Sequence, residues 1–274
     1  MKELTKNIIK PLIKPRDECS NKSDFGHALL IAGNTGKMGA AVIAARACLR
    51  SGCGLLTVSV PHNEQYILQS TIPEAMLAIR EKDEDNFIRF SAAGIGPGIG
   101  VIKEATQMLT YLLAEFNKPI VLDADALNII ATDKKLLDKI PSSTIITPHA
   151  KEYDRLFGIY ETIEQRIYNA IDKAKEYNVV IVLKGHRTLV TNGVQSFLNT
   201  TGNAGLAKAG SGDALTGIIT SFLAQGYPAF EAAKIGVYLH GLAADIALKE
   251  QSMESMLIAD VIECIGKAFK TIMK

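Results

Sequence analysis

At 274 residues, with 47% hydrophobic and 22% charged side chains, the chain has ample material for a large core, and a single α/β domain over residues 1–274 is expected. Its formal net charge of +1 excludes a field able to gather nucleic acid or acidic lipid, so a small-molecule partner is favoured over nucleic acid or membrane. Cys19, Cys48, Cys53 and Cys264 have neither CxxC spacing nor a neighbouring His cluster, which argues against a disulfide framework or a zinc site and for thiols in a reducing cytoplasm.

The first residues, MKELTKNIIKPLIKPRDE, scatter lysines and prolines where a signal peptide needs an unbroken apolar core. Residues 1–21 are therefore expected to form an arm or docking helix. From there to about residue 225, short apolar runs alternate with helical patterns, the rhythm of a mostly parallel sheet covered by helices. The strand candidates are ALLIAG (28–33), LLTVSV (55–60), SAAGIG (91–96), PIVLDA (119–124), STIITP (143–148) and VVIVLK (179–184). The stretches flanking Asn192-Gly193 alternate like a hairpin, for which Asn-Gly is the preferred two-residue turn. Helices are expected over 40–49, 213–224, 229–248 and 256–272, with Tyr227-Pro228 breaking the second from the third. The longest uncharged stretch, Ala214 to Phe230, is interrupted by Gly217, Gln225, Gly226 and Pro228 and is too short to span a bilayer.

Ligands of open α/β sheets collect at the carboxyl ends of parallel strands, and the unusual clusters of this chain fall at such ends. GNTGKMG (33–39) lacks the glycine and the hydroxyl of a P-loop, since Ile31 and Met38 occupy those places; small residues at a helix start remain. GIGPGIG (94–100) does not match GxGxxG, yet four glycines in seven residues suit a backbone that a ligand approaches closely. In LDADALN, Asp123 and Asp125 could hold magnesium through water, and capping of the following helix is favoured for Asp125. TPHAKE sets His149 and Glu152 three apart, on one face of a helix beginning at Pro148. Lys184, Gly185, His186, Arg187 and Thr188 end a strongly apolar strand with groups suited to an anionic nucleotide.

NTTGNAGLAKAGSGD (199–213) is a long small-residue loop leading into an apolar helix. There the amides of Gly210 to Gly212 can face a transferring phosphoryl group while Asp213 takes the proton from an attacking hydroxyl. An ordinary first-turn acid would explain Asp213 but not the glycines around it.

AGSGD before an apolar helix resembles the anion hole and catalytic aspartate of the ribokinase-like superfamily. GHALLIAGNTGKMGAA, GIGPGIG, VLDADALN, TPHAKE, LKGHRT and NAGLAKAGSGDALTG, in that order, resemble the ADP-dependent (S)-NAD(P)H-hydrate dehydratases from about Lys22 to Gly241. The resemblance implies a three-layer ribokinase-like sandwich, with the central sheet mostly parallel and helices on both faces. It implies phosphorylation of the C6 hydroxyl of hydrated NADH or NADPH by ADP, or by ATP in its place, then loss of phosphate. By it Asp213 is the base, Ala40, Gly98, His149 and Asp213 line the hydrate site, and Lys184 to Thr188 with Gly212 hold the adenylate. It further implies Mg2+, a homotetramer and functional pairing with a separate epimerase. Two positions depart from the family pattern: Lys151 stands for a glycine, and Lys208-Ala209 stands for Thr-Gly, adding a cation near the phosphates. A kinase of the same superfamily acting on a thiazole or pyrimidine alcohol would share the anion hole and base, whereas a non-catalytic nucleotide sensor would need no base.

Overall fold

A computed structural model of the chain describes residues 1–80 and 87–274. Among these residues ten strands form one sheet: β1 (Lys2–Leu4), β2 (His27–Ile31), β3 (Leu55–Val60), β4 (Met76–Ile79), β5 (Ala92–Ile95), β6 (Ile120–Leu122), β7 (Ile145–Ile146), β8 (Val180–Leu183), β9 (Leu189–Thr191) and β10 (Ser196–Asn199). Their order is β1-β10-β9-β8-β7-β6-β5-β2-β3-β4. Pairing is parallel throughout except at β9, which is antiparallel to both β8 and β10.

The helices are α1 (Lys6–Ile9), α2 (Met38–Arg50), α3 (Gln65–Thr71), α4 (Lys103–Glu115), α5 (Ala124–Thr132), α6 (Ala150–Phe157), α7 (Ile163–Glu176), α8 (Ser211–Ala224), α9 (Ala229–Ala247), α10 (Ile258–Glu263) and α11 (Ile265–Met273). Strands β5, β6, β7 and β8 are apolar at every position because both faces of the sheet are covered there. Alternate residues go to opposite sides: Ala28 and Leu30 join a core with α2, α8, α9 and α11, while Leu29 and Ile31 join one with α4, α5, α6 and α7. This is the expected ribokinase-like three-layer arrangement.

All six expected strands form. The N-terminal arm is a strand followed by a helical turn: β1 pairs in parallel with β10, and Leu4 and Ile9 are fully buried. The Asn192-Gly193 hairpin exists, but residues 192–195 all stand outside the strands, so the turn is longer than the two residues expected. Asn192 Oδ1 accepts from the amides of Val194 (3.0 Å) and Gln195 (2.8 Å), a side-chain bond that the two-residue turn does not use. The last expected helix is divided at Cys264, and begins at Ile258 rather than 256.

Candidate active site

The carboxyl ends of β6, β7 and β8 and the N-terminus of α8 enclose a cavity of about 800 Å³. Gly210, in the left-handed conformation at φ 91°, turns the chain into α8. A side chain there would be strained and would also collide with Ile43 on α2. Because a helix leaves its first amides without internal partners, the N–H groups of Gly212 and Asp213 have no backbone acceptor among the described residues. The Ser211 amide makes a long 3.4 Å contact with the Lys208 carbonyl. These amides and the positive end of α8 make the rim attractive to an anion.

Asp213 lines the cavity, and its carboxylate makes no hydrogen bond among the described residues. Burial first, and then the nearby Asp123 carboxylate, push its pKa up to about 6 from an ordinary 3.8, against the pull of the Lys184 ammonium. It is therefore a base whose proton affinity lies close to neutrality.

Beside it runs a buried ionic chain. Asp123, only 1% exposed, receives Lys184 Nζ at 2.7 Å on Oδ1 and Thr216 Oγ1 at 2.8 Å on Oδ2. Lys184 Nζ also lies 3.9 Å from Glu152. Burial works to lower the Lys184 pKa, but the Asp123 and Glu152 carboxylates outweigh it and the net shift is upward. Gly212 abuts this pair, since a Cβ there would lie 3.2 Å from Lys184 Nζ and 3.5 Å from Asp123 Oδ2.

Ala124, a non-glycine residue at φ 48°, separates the two acids of LDADALN. Asp123 turns to Lys184 and Thr216, whereas Asp125 accepts from the Gly100 amide at 2.8 Å and lies 3.7 Å from Lys37 Nζ. Asp125 is thus a first-turn acid bracing the GIGPGIG loop, not the helix cap expected; the cap position is held by Asp123, whose side chain makes no capping bond. Both carboxylates are thus engaged by protein groups, and among the described residues no three His, Cys, Asp or Glu side chains are grouped for a metal; a magnesium ion here would be held by one or two carboxylates together with the phosphates of a nucleotide.

His149 is an N-cap rather than the second residue of a helix from Pro148: Nδ1 accepts from the Glu152 amide at 3.2 Å, and Glu152 Oε2 from the His149 amide at 2.8 Å. This bond leaves the hydrogen of the neutral ring on Nε2. The ring is 47% exposed and lines the cavity. Lys151 is exposed beside this capping box and leaves it intact.

Lys184, Gly185, His186 and Thr188 line the cavity, and Gly212 completes its rim. Arg187 departs from them, reaching Glu3 on β1 at 2.6 Å. Lys208 lines the cavity too, but its ammonium is held by the carbonyls of Glu254 and Met256. It is therefore tied to the 252–257 loop rather than free as an added cation. Ala40 and Gly98 face each other where the two glycine loops meet: a Cβ on Gly98 would lie 3.0 Å from the Ala40 Cβ. The loops are joined by Gly33 N to Pro97 O (2.7 Å) and by Asn34 Nδ2 to Ile99 O (3.0 Å). Neither Ala40 nor Gly98 lines the large cavity; Asn34 and Ile99 line a smaller one of about 310 Å³.

Thr216 and His240 also belong to the site, and sequence reasoning passed over both. Each sits in an apolar helical run that reads as core, and the available signal was a polar residue inside a buried stripe.

A family model described as NAD(P)H-hydrate dehydratase matches residues 28–267. The ADP-dependent (S)-NAD(P)H-hydrate dehydratase of Neisseria meningitidis is 38% identical over 261 residues, covering 92% of this chain and 87% of that one. The bifunctional NAD(P)H-hydrate repair enzyme Nnr of Moorella thermoacetica is 36% identical over 91% of this chain, which spans about half the length of such bifunctional relatives. Among solved structures, the ADP/ATP-dependent NAD(P)H-hydrate dehydratase of Bacillus subtilis, co-crystallised with ATP/Mg2+, superposes with a TM-score of 0.89 at 30% identity, covering 99% of this chain and 98% of that one.

Proposed function

This chain belongs to the NAD(P)H-hydrate dehydratase family, and we propose that it is an ADP-dependent lyase that returns hydrated NADH or NADPH to the reduced dinucleotide. The observation that carries this reading is the juxtaposition, in one cavity, of a carboxylate poised near neutrality with two unengaged main-chain amides at a helix start.

The substrate hydroxyl attacks the β-phosphorus of ADP, and its proton passes to Asp213. The bond from that phosphorus to the bridging oxygen breaks, and AMP leaves with the electron pair. Charge developing on the phosphoryl oxygens meets the Gly212 and Asp213 amides, already oriented and therefore costing no reorganisation. The C6–oxygen bond then breaks, phosphate departs, and a proton lost from the neighbouring ring carbon restores the double bond. Phosphate is a leaving group where hydroxide is not, which is why a dehydration consumes ADP. Lys184, Gly185, His186, Thr188 and Gly212 serve the adenylate, with Arg187 bracing that segment through Glu3; His149 serves the hydrate from within the cavity, and Ala40 and Gly98 from the junction of the two glycine loops. Lys184 supports phosphate charge from its seat on Asp123, and magnesium, when present, neutralises the nucleotide's phosphates.

The shared anion hole would equally serve a kinase acting on a small alcohol. Incubating the protein with ADP and chemically hydrated NADH separates the two. Recovery of reduced-nicotinamide absorbance with AMP release is expected, and its absence would defeat the dehydratase reading. A nucleotide sensor would bind ADP without any turnover in that assay.

The assembly follows as part of the same reading. Tyr66 (73% exposed), Ile67 and Met76 leave apolar surface beside the β4 edge, which supports a homotetramer, to be checked by light scattering. Bifunctional relatives of twice the length support pairing with a separate epimerase. A cytoplasmic setting is part of the same reading, and none of the helices among the described residues is long and apolar enough to cross a membrane.

A further inference from the structure

His240 sits on α9, 7% exposed, and lines the large cavity. Its Nε2 is a buried atom that has no hydrogen-bond partner among the described residues. Buried polar atoms are nearly always paired, so an orphaned one on a ring that lines a cavity marks a side chain whose partner arrives with a ligand. Its surroundings say which part of a ligand. Burial and then the Lys184 charge drive the imidazole pKa down to about 4, so the ring is neutral and offers a phosphate no ionic attraction. Leu206, Leu215 and Val237 line the cavity with it, an apolar setting for an uncharged ring system. Phosphate charge is answered elsewhere, at Lys184 and the start of α8. Thr201 Oγ1 donates to the Tyr238 carbonyl at 2.9 Å, and Asp245 receives the Gly202 amide and Asn203 Nδ2 at 2.9 and 3.0 Å, so α9 also fixes the loop on the other side of that wall.

We propose that His240 recognises the uncharged nucleoside portion of the nucleotide co-substrate, through a hydrogen bond from its imidazole to the base or the ribose, and thereby sets affinity for ADP without acting on the phosphoryl group. This rests on the reading of the cavity as the ADP site.

The test uses the full-length protein and its His240→Phe and His240→Gln variants, with thermal melting in the absence of nucleotide as the check on folding. For His240→Phe, Kd and KM for ADP should rise about 10- to 100-fold with kcat within about threefold, and inhibition by AMP should weaken by the same factor. Inhibition by inorganic pyrophosphate, which carries no nucleoside, should not move. His240→Gln, which keeps a hydrogen-bonding side chain, should regain most of the affinity. ADP affinity within twofold of wild type in His240→Phe, or an equal loss for pyrophosphate, overturns the proposal while leaving the ADP site standing; failure of the unaltered protein to bind ADP overturns both. If His240→Phe does not fold, His240→Leu carries the same expectations.

Discussion

Asp213 owes its basicity to its surroundings: the same carboxyl on an exposed helix start would hold its proton two orders of magnitude less tightly. If it must be ionised to act, kcat/KM should fall as pH drops through about 6, and Asp213→Asn should lose about two or more orders of magnitude in kcat while binding ADP nearly as before. An acid limb unchanged in position, or a variant with full turnover, would remove Asp213 from the chemistry. The same shift has a consequence for stability. Between pH 3.8 and about 6 the folded chain keeps a proton that the unfolded chain has released, so this group's contribution falls as pH rises through that window and stays low above it. Asp213→Asn should accordingly melt higher than wild type at pH 8, with the gain disappearing below pH 4. Lys184 is the reverse case. Removing it as Lys184→Met strands the Asp123 carboxylate, 1% exposed, with one hydroxyl partner, and should cost about 3–5 kcal/mol by denaturant unfolding. Replacing Asp123 by Leu in that background should return much of the loss, since the buried charge is then gone.

Among the elements, α8 decides where the site stands, and α2 decides where α8 stands. Gly217 lies in the apolar middle of α8, where a glycine is a poor helix former, and its reason is contact: an added Cβ would sit 2.0 Å from the Ala44 carbonyl oxygen of α2. Gly217→Ala should force the helices apart and destabilise the protein by about 1–3 kcal/mol. Gly266 in α11 meets nothing within 4 Å, so Gly266→Ala should instead stabilise by about 0.5–1 kcal/mol. Chemical denaturation of the pair checks both, and equal effects would mean that helix propensity, not the crossing, governs α8. A sequence displays a glycine in a helix but not the carbonyl that demands it. By the same limit, His240 and Thr216 read as parts of core helices, while the AGSGD start of α8 was legible because its composition is unusual for any helix end.

For the molecule as a whole, the sheet joins residues nearly two hundred positions apart in the chain. β1 closes one edge by pairing with β10, and Glu3 on it holds Arg187, a neighbour of the nucleotide segment. Leu4→Ala should cost about 2–5 kcal/mol and lower Tm by several degrees, while Glu3→Ala, which breaks a pair of exposed groups, should change stability by about 1 kcal/mol or less. If the two variants melt alike, the arm is not part of the core. The chain sequence by itself determined the parallel sheet and the position of every glycine-rich or charged loop, because apolar runs buried on both faces and small residues at strand ends obey local rules. It singled out Asp213, Lys184, Gly185, His186 and Thr188, all of which line the large cavity, for the same reason. It could not determine that Asp123 serves Lys184 while Asp125 serves Gly100, that Arg187 leaves the cavity for Glu3, or that His240 lines it with a buried, unpaired nitrogen. Those outcomes belong to the tertiary structure, since which groups lose water together, and which partner each then finds, depends on strands and helices far apart in the chain being packed against one another.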